Sequence, residues 1–562
     1  MADKKLEQLR NWMNAEKIDA YLVPHADRFQ SEYLPAADER LAWLTGFTGS
    51  AGMAAILSDR AVLFTDGGYT LQAAQQTDKD FYEIVEAPPT SPIATLEKYL
   101  SKEAVIGFDP LLFTVSQIDQ WQKAAKKHGW TLVPFEKNPI DEFWTDKPQE
   151  QIIPAQIHGI EFSGETTLDK IAKILAKKEK TAENVLISDP SLVCWLLNMR
   201  GNDVPHTPLV QSLALLDKEG QVMLFTDPQK ITPALQNSWG NHVAVADLDQ
   251  LYEILSKLEG PLQIDPGQCA YAVKNFCEEK EIKVVEVADP SLLLRACKNE
   301  TEINGAIKAH EIDAGAFAEF TTWFKAQDFA KEKITELDII QKLHEYRAAT
   351  GQCVDESFDT IAGFGPNGAV VHYRADEQSN LQLKEGSLLL LDSGGQYRFG
   401  TTDVTRVFAV GAPSIEMKTH YTAVLKGLIN LSMTRFPVGT NGSQLEALAR
   451  APIWALGLDY AHGTGHGVGS YLSVHEGPQG LSPRSSTIAL QPGMILSIEP
   501  GIYLTDQYGI RLENLVVVVK DEREGDVKEM LAFKTLTKIP FNESLIDFEM
   551  LDERERMFLK QF

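Results

Sequence analysis

The chain has little cysteine, no long apolar run and a shortage of positive charge, and each scarcity narrows what it does. Its five cysteines are Cys194, Cys269, Cys277, Cys297 and Cys353, an odd number scattered without CxxC or Cys/His spacing. That argues against a cysteine-built zinc site and for the reduced thiols of a cytoplasmic protein. No stretch approaches the ~20 apolar residues needed to span a bilayer. The opening Met1-Ala2-Asp3-Lys4-Lys5-Leu6-Glu7 has no apolar run behind its lysines, so it does not read as a secretory signal. Lys and Arg number 53 against 79 Asp and Glu, a net charge of -26. An acidic surface repels phosphate backbones and anionic lipid, so neither nucleic acid nor a membrane is expected as partner. The plainer reading of the charge is that it keeps the protein soluble.

What is present is length and core. A chain of 562 residues, 44% hydrophobic, accommodates two to four domains. Two segments resemble each other. Trp43-Leu44-Thr45-Gly46-Phe47 with Leu63-Phe64-Thr65-Asp66 is echoed by Trp195 to Gly201 with Leu224-Phe225-Thr226-Asp227. Each follows an amphipathic stretch (Leu6 to Glu16; Leu168 to Lys178) and a short apolar strand, Ala20 to Val23 or Val185 to Ile187. Two α/β domains of one fold are expected in series, over 1-155 and 156-295, with a linker in the proline-dotted Pro139 to Pro154. A helical pattern with few breakers then runs from Leu293 to Phe329. Beyond Gly351, glycine-rich turns alternate with strand-like runs, so 296-562 reads as an α+β domain whose C-terminal extension covers about 500-562.

The chemistry concentrates in that last part. Asp392 closes one apolar strand and Asp403 opens another, and a hairpin turning near Tyr397-Arg398 would set them opposite each other. Glu499 ends the strand from Met494, and Glu513 begins the strand that runs to Val519. A second hairpin, turning near Asp506, would pair these too. Like charges facing across strands are destabilising unless a cation neutralises them. Two unrelated pairs of solvated turn acids are the alternative. His462 and His466 sit in a glycine-rich run that reads as a tight loop, with His475 and His372 in nearby motifs. Carboxylates with an imidazole suit manganese or cobalt better than a thiolate-type zinc site, and zinc remains an alternative. Two such ions about 4 Å apart can hold a bridging hydroxide and polarise a carbonyl.

The set Asp392, Asp403, His466, Glu499 and Glu513 resembles the five ligands of the pita-bread metallopeptidases, family M24. Their flanks, with Gly365 to Gly368, Val371-His372-Tyr373, Thr401 to Arg406, Val474 to Pro478, Arg511 to Asn514 and the N-terminal Thr45 to Gly52, resemble the three-domain cytosolic aminopeptidase P type. The resemblance implies two creatinase-like α/β domains before a pita-bread α+β catalytic domain, two divalent ions, peptide substrates with proline second, and a homodimer. Under it, Asp392 and Asp403 hold one metal, His466 and Glu499 the other, and Asp403 and Glu513 bridge. Glu499 also takes the proton of the attacking water. His372 and His475 steady the oxyanion and shuttle the proton, and His462 shapes the pocket. Phe358 and Val370 wall the proline slot, and Arg511 braces a ligand carboxylate. Arg40 is a candidate for the substrate amine only if a neighbouring subunit overhangs the site. Prolidase, methionine aminopeptidase and a ligand-poor scaffold are the alternatives within the fold, and a full ligand set after two repeats disfavours the last two.

Overall fold

The computed structural model describes residues 2–483 and 487–562. It divides into two compact units, Met1–Ile157 with Glu165–Ser291, and His158–Gly164 with Leu292–Phe562.

The first unit holds the repeat. Its sheets have six strands each, ordered Tyr82–Glu86, Ala61–Thr65, Gly52–Leu57, Ala20–Pro24, Val105–Phe108, Thr131–Pro134 and Val243–Ala246, Val222–Phe225, Leu213–Leu216, Asn184–Ile187, Leu262–Ile264, Val284–Glu286. Across both, the pairings run parallel, antiparallel, antiparallel, parallel, parallel. The central strands are buried along their whole length, which is why the sequence shows continuous apolar runs rather than alternation. The repeated Leu-Phe-Thr-Asp phrases fall on matching strands. Thr65 donates to the carbonyl of Ala51 at 2.7 Å, and Thr226 to that of Gln211 at 3.0 Å, each tying the end of its strand to the start of a neighbour.

The second unit opens with helices. The single pattern from Leu293 is broken in the structure into Ser291–Ala296 and α1 (Glu300–Lys325). The break is local chemistry: Asn299 accepts from the Glu302 N–H and Glu302 reaches back to the Asn299 N–H, a capping box that restarts the helix. After α2 (Glu336–Ala349) come β1 (Ser387–Ser393) and β2 (Val404–Val410), which form a three-stranded sheet with Ile361–Phe364. β3 (Gly465–Gly467), β4 (Ile495–Ile498) and β5 (Asn514–Lys520) lie in a six-stranded sheet, ordered Arg435–Pro437, Met530–Thr535, β5, β4, β3, Glu476–Leu481. Helix Ile415–Ser432 and the strands share a core that includes Leu390, Val407, Leu428, Leu496 and Val516. Packing fixes the strand ends, and the acids sit on those ends.

Candidate metal centre

The first acidic pair is set by the register of β1 and β2. Asp392 lies opposite Thr405, and Ser393 opposite Val404. The hairpin continues through Gln396 opposite Thr401 and Tyr397 opposite Gly400, so its turn is at Arg398-Phe399. On this register Asp403 stands two places along from Thr405, diagonal to Asp392 on the same face rather than directly opposite it. A diagonal keeps the two carboxylates within reach of one ion. The second pair fits the sequence reading more closely. Ile498 pairs with Asn514, and Gly501 with Arg511, so Glu499 and Glu513 flank the register point between two paired stretches. The excursion turns at 505–507, where Asp506 takes a left-handed φ of 61°.

His466 stands on a short strand rather than in the tight loop its glycines suggest. Gly465 and Gly467 permit it, because a Cβ would lie 1.9 Å from the Ser497 carbonyl in one case and 2.1 Å from that of Glu476 in the other. Only glycine lets β3 run this close to its neighbours. The imidazole orientation follows from two bonds: the His466 N–H donates to Ser497 Oγ at 2.9 Å, and Nδ1 donates to the Gly467 carbonyl at 2.9 Å. Nε2 is therefore turned to Asp403 Oδ2 at 3.4 Å and Glu499 Oε1 at 3.5 Å.

Asp392, Asp403 and Glu513 offer oxygens within 4.8 Å of one another, and so do His466, Glu499 and Glu513 with their ligand atoms. Asp403, His466 and His475 form a third such group. Asp392, Asp403 and Glu513 are buried. Arg511 is the cation that meets them, through Nη2 to Asp392 Oδ2 at 2.6 Å. One arginine does not balance the cluster. Burial, followed by repulsion from Asp403, Asp392 and Glu499, holds the Glu513 carboxyl well above the usual range. Burial pushes Asp392 up to about 6 despite Arg511. Asp392 Oδ1 and Glu513 Oε1 are buried without a hydrogen-bond partner. Orphaned oxygens on Asp392 and Glu513, and an imidazole lone pair turned to Asp403 and Glu499, fit divalent cations, and the oxygen-rich donor set is that of a hard or borderline ion.

Around this cluster lie the remaining residues. Burial above all, then the Arg511 guanidinium, lowers the His372 pKa to about 3, against the opposing pull of Glu499. His475 is exposed and meets His466 edge to face at 4.3 Å. His462 accepts at Nε2 from the Tyr503 hydroxyl at 2.8 Å, and Tyr503 accepts from Arg511 Nη1 at 2.8 Å. Burial lowers the His462 pKa to about 4, so it is a neutral imidazole. Phe358 and Val370 are both buried, and Val370 belongs to the main core of the unit. Arg40, in the first unit, is not available to a substrate. Asp141 takes its Nε and Nη2 at 2.8 and 3.0 Å, and Asp38 its Nη1 at 2.7 Å.

The sequence reading missed three supports. Thr405 donates to Glu513 Oε2 at 3.0 Å, Ser497 to Glu499 Oε1 at 3.1 Å, and Tyr503 links Arg511 to His462. Period-two spacing gave a usable signal for Ser497, which stands two residues from Glu499, but none for Thr405, whose partner Glu513 is 108 residues away. Tyr503 carried none.

Comparison with known proteins agrees with this geometry. The model of metallopeptidase family M24 matches residues 305–520, and creatinase/prolidase N-terminal domain models match 5–142 and 146–302. A probable Xaa-Pro aminopeptidase P of Talaromyces marneffei is 36% identical, over 100% of this chain and 88% of its own. The structure of an X-prolyl aminopeptidase from Caenorhabditis elegans, a cytosolic enzyme with a di-nuclear active site, superposes with a TM-score of 0.95 at 34% identity, covering 100% of this chain and 94% of its own. A prolidase from Pyrococcus horikoshii is more distant, at 25% identity and TM-score 0.53, covering 66% of this chain and 99% of its own. The chain is an enzyme that belongs to metallopeptidase family M24, in the Xaa-Pro aminopeptidase P branch that carries two creatinase N-terminal domains.

Proposed function

We propose that the enzyme removes an N-terminal residue that precedes proline, using two divalent ions held by Asp392, Asp403, His466, Glu499 and Glu513. The observation that carries this is the convergence of those donors, Asp392, Asp403 and Glu513 among them buried, with two carboxylate oxygens left unpartnered. Asp392 and Asp403 would hold one ion and His466 and Glu499 the other, with Asp403 and Glu513 within reach of both. When bound, the pair supplies Lewis acidity toward the scissile carbonyl and makes a shared water acidic enough to serve as nucleophile near neutral pH. Manganese suits the donors best, with cobalt and zinc as alternatives.

The chain's own side chains do the rest. Glu499, oriented by Ser497 Oγ, accepts the proton of the attacking water on a carboxylate oxygen. His372 is neutral across the working pH range, so it acts as a hydrogen-bond donor to the developing oxyanion without repelling the ions. His475, exposed beside His466, hands a proton to the departing proline nitrogen. That nitrogen has no N–H, so a site built around an apolar slot and not an N–H acceptor favours the ring. Phe358 and Val370 line that slot and His462 shapes its rim. Arg511 holds Asp392 in place as it ligates.

The C. elegans relative is cytosolic, and among the described residues no helix is long and apolar enough to cross a membrane; both support a cytoplasmic setting. The family resemblance adds a homodimer, which sedimentation velocity tests. For the activity, chelator-stripped protein is assayed with and without manganese on Arg-Pro-Pro, Ala-Pro and Met-Ala-Ser. Manganese-dependent release of free arginine, with little action on the other two, is expected. Cleavage of the dipeptide alone assigns prolidase activity instead, and inactivity on all three with every metal removes the proposal.

A further inference from the structure

Behind the metal cluster lies a second buried acid with a different set of partners. Asp313, on α1, is 2% exposed and is met by Arg347, on α2, which is 1% exposed. Arg347 donates from Nε to Asp313 Oδ1 at 2.8 Å and from Nη2 to Oδ2 at 3.2 Å. A buried ion pair of this kind adds little net stability, because desolvation offsets the attraction. Its position needs another explanation, and the other two bonds to Asp313 supply it.

Tyr397, on the hairpin that joins β1 to β2, donates its hydroxyl to Asp313 Oδ1 at 2.9 Å. Thr402 donates Oγ1 to Asp313 Oδ2 at 3.2 Å. Thr402 is the residue before Asp403, and each polar group of it is engaged. Its Oγ1 accepts from the Gly395 N–H at 2.9 Å, its own N–H donates to the Gly395 carbonyl at 2.9 Å, and its carbonyl accepts from Ser357 Oγ at 2.8 Å. Nothing larger than glycine fits at 394, since a Cβ there would lie 2.0 Å from the Thr402 carbonyl. Asp403 itself falls between the paired stretches, beyond the last ladder pair of β2. The register sets its place along the hairpin, and the Thr402 bonds to Gly395, Ser357 and Asp313 hold the backbone just before it.

We propose that Asp313 is a positioning residue for the metal centre: through Thr402 it fixes the backbone that aims Asp403, while Arg347 cancels its charge so that it does not compete for the ions. The inference rests on Asp403 being a ligand, as in the function proposed for the site. It explains why one buried acid beside the site carries its own guanidinium while Asp403 carries none. Helices α1 and α2 thereby set the precision of a site to which they contribute no ligand.

The test is isothermal titration of manganese into chelator-stripped full-length protein, with kcat and KM on Arg-Pro-Pro measured in parallel. Thr402→Val keeps the shape and removes the link; Thr402→Ser keeps the link. Thr402→Val is expected to bind manganese about tenfold to a hundredfold more weakly and to lose kcat more than it raises KM, with Thr402→Ser near the parent on both. Asp313→Asn changes affinity in the same direction, and if it does not fold, Thr402→Val and Tyr397→Phe carry the comparison. A purely structural role lowers the melting temperature of the metal-free protein and leaves manganese affinity untouched. A folded Thr402→Val protein that binds both ions as tightly as the parent overturns the proposal. Asp403→Ala separates the two readings: unchanged binding in that variant removes the ligand assignment itself, whereas loss there with none in Thr402→Val removes only the role of Asp313.

Discussion

Both units bury carboxylates, wholly or in part, and the acids of the first are satisfied in the opposite way from the convergent cluster of the second, where Asp313 with its own Arg347 stands apart from that cluster. In the first, each of these acids has donors of its own. Asp141 takes Arg40 and Lys147, and Asp203 takes Lys230 and the Gln211 N–H. Asp27 takes the N–H groups of Phe29 and Ser31 and the Gln211 amide. In the second, Asp392, Asp403, Glu499 and Glu513 converge, with Arg511 and His466 against them and two oxygens orphaned. Burial of an acid is thus no sign of a metal site. Acids that face one another and lack donors are such a sign, because only a multivalent charge makes that arrangement tolerable.

The largest way to break this contrast is to remove a shared donor. Glu513→Ala is expected to lose about a thousandfold or more in turnover, on the order of several kcal/mol of transition-state stabilisation, and to bind fewer ions by elemental analysis. Retention of both ions with a normal rate contradicts the assignment. His372→Ala should keep both ions yet lose about a hundredfold to ten-thousandfold in kcat, which separates proton handling from ligation.

A smaller effect concerns pH. Asp392 and Glu513 carry raised values in the folded chain, so between the ordinary carboxylate range and about 6 or above the fold holds protons that the unfolded chain has released. Stability of the metal-free protein therefore falls as pH rises through that window, by about 1.4 kcal/mol per pH unit for each proton so held. Bound ions remove the protonation requirement, so the manganese-loaded protein should lack this fall. Melting temperatures that change with pH in the same way for the two forms contradict it. The smallest effect sharpens the contrast from the other side. Asp141→Asn in the first unit should cost about 1 kcal/mol of stability, since Asp141 is partly exposed, and leave metal content and kcat within about twofold.

The contrast was partly legible in the sequence. Paired apolar strands ending in acids announced both hairpins, and the glycines around His466 announced a close approach. The duplicated Leu-Phe-Thr-Asp phrase announced two copies of one sheet. What failed was register. A symmetric turn at Tyr397-Arg398 sets Asp392 opposite Asp403, but the turn falls at Arg398-Phe399, and one place of shift turns a facing pair into a diagonal one. The long helix failed at Asn299, where a capping box outweighs continuous apolar spacing. The engagement of Arg40 escapes the sequence because its partner Asp141, 101 residues away along the chain, is invisible to any local pattern. Tyr503, Thr402 and Asp313 escape a sequence reading for the same reason. Their roles consist of contacts that only the folded chain creates.

The most direct test of the account is crystallography of the manganese-loaded protein with anomalous scattering at the manganese edge. The account predicts two peaks per chain, one bounded by Asp392, Asp403 and Glu513 and the other by His466, Glu499 and Glu513. No peak within the cluster, or a single peak under saturating manganese, contradicts it.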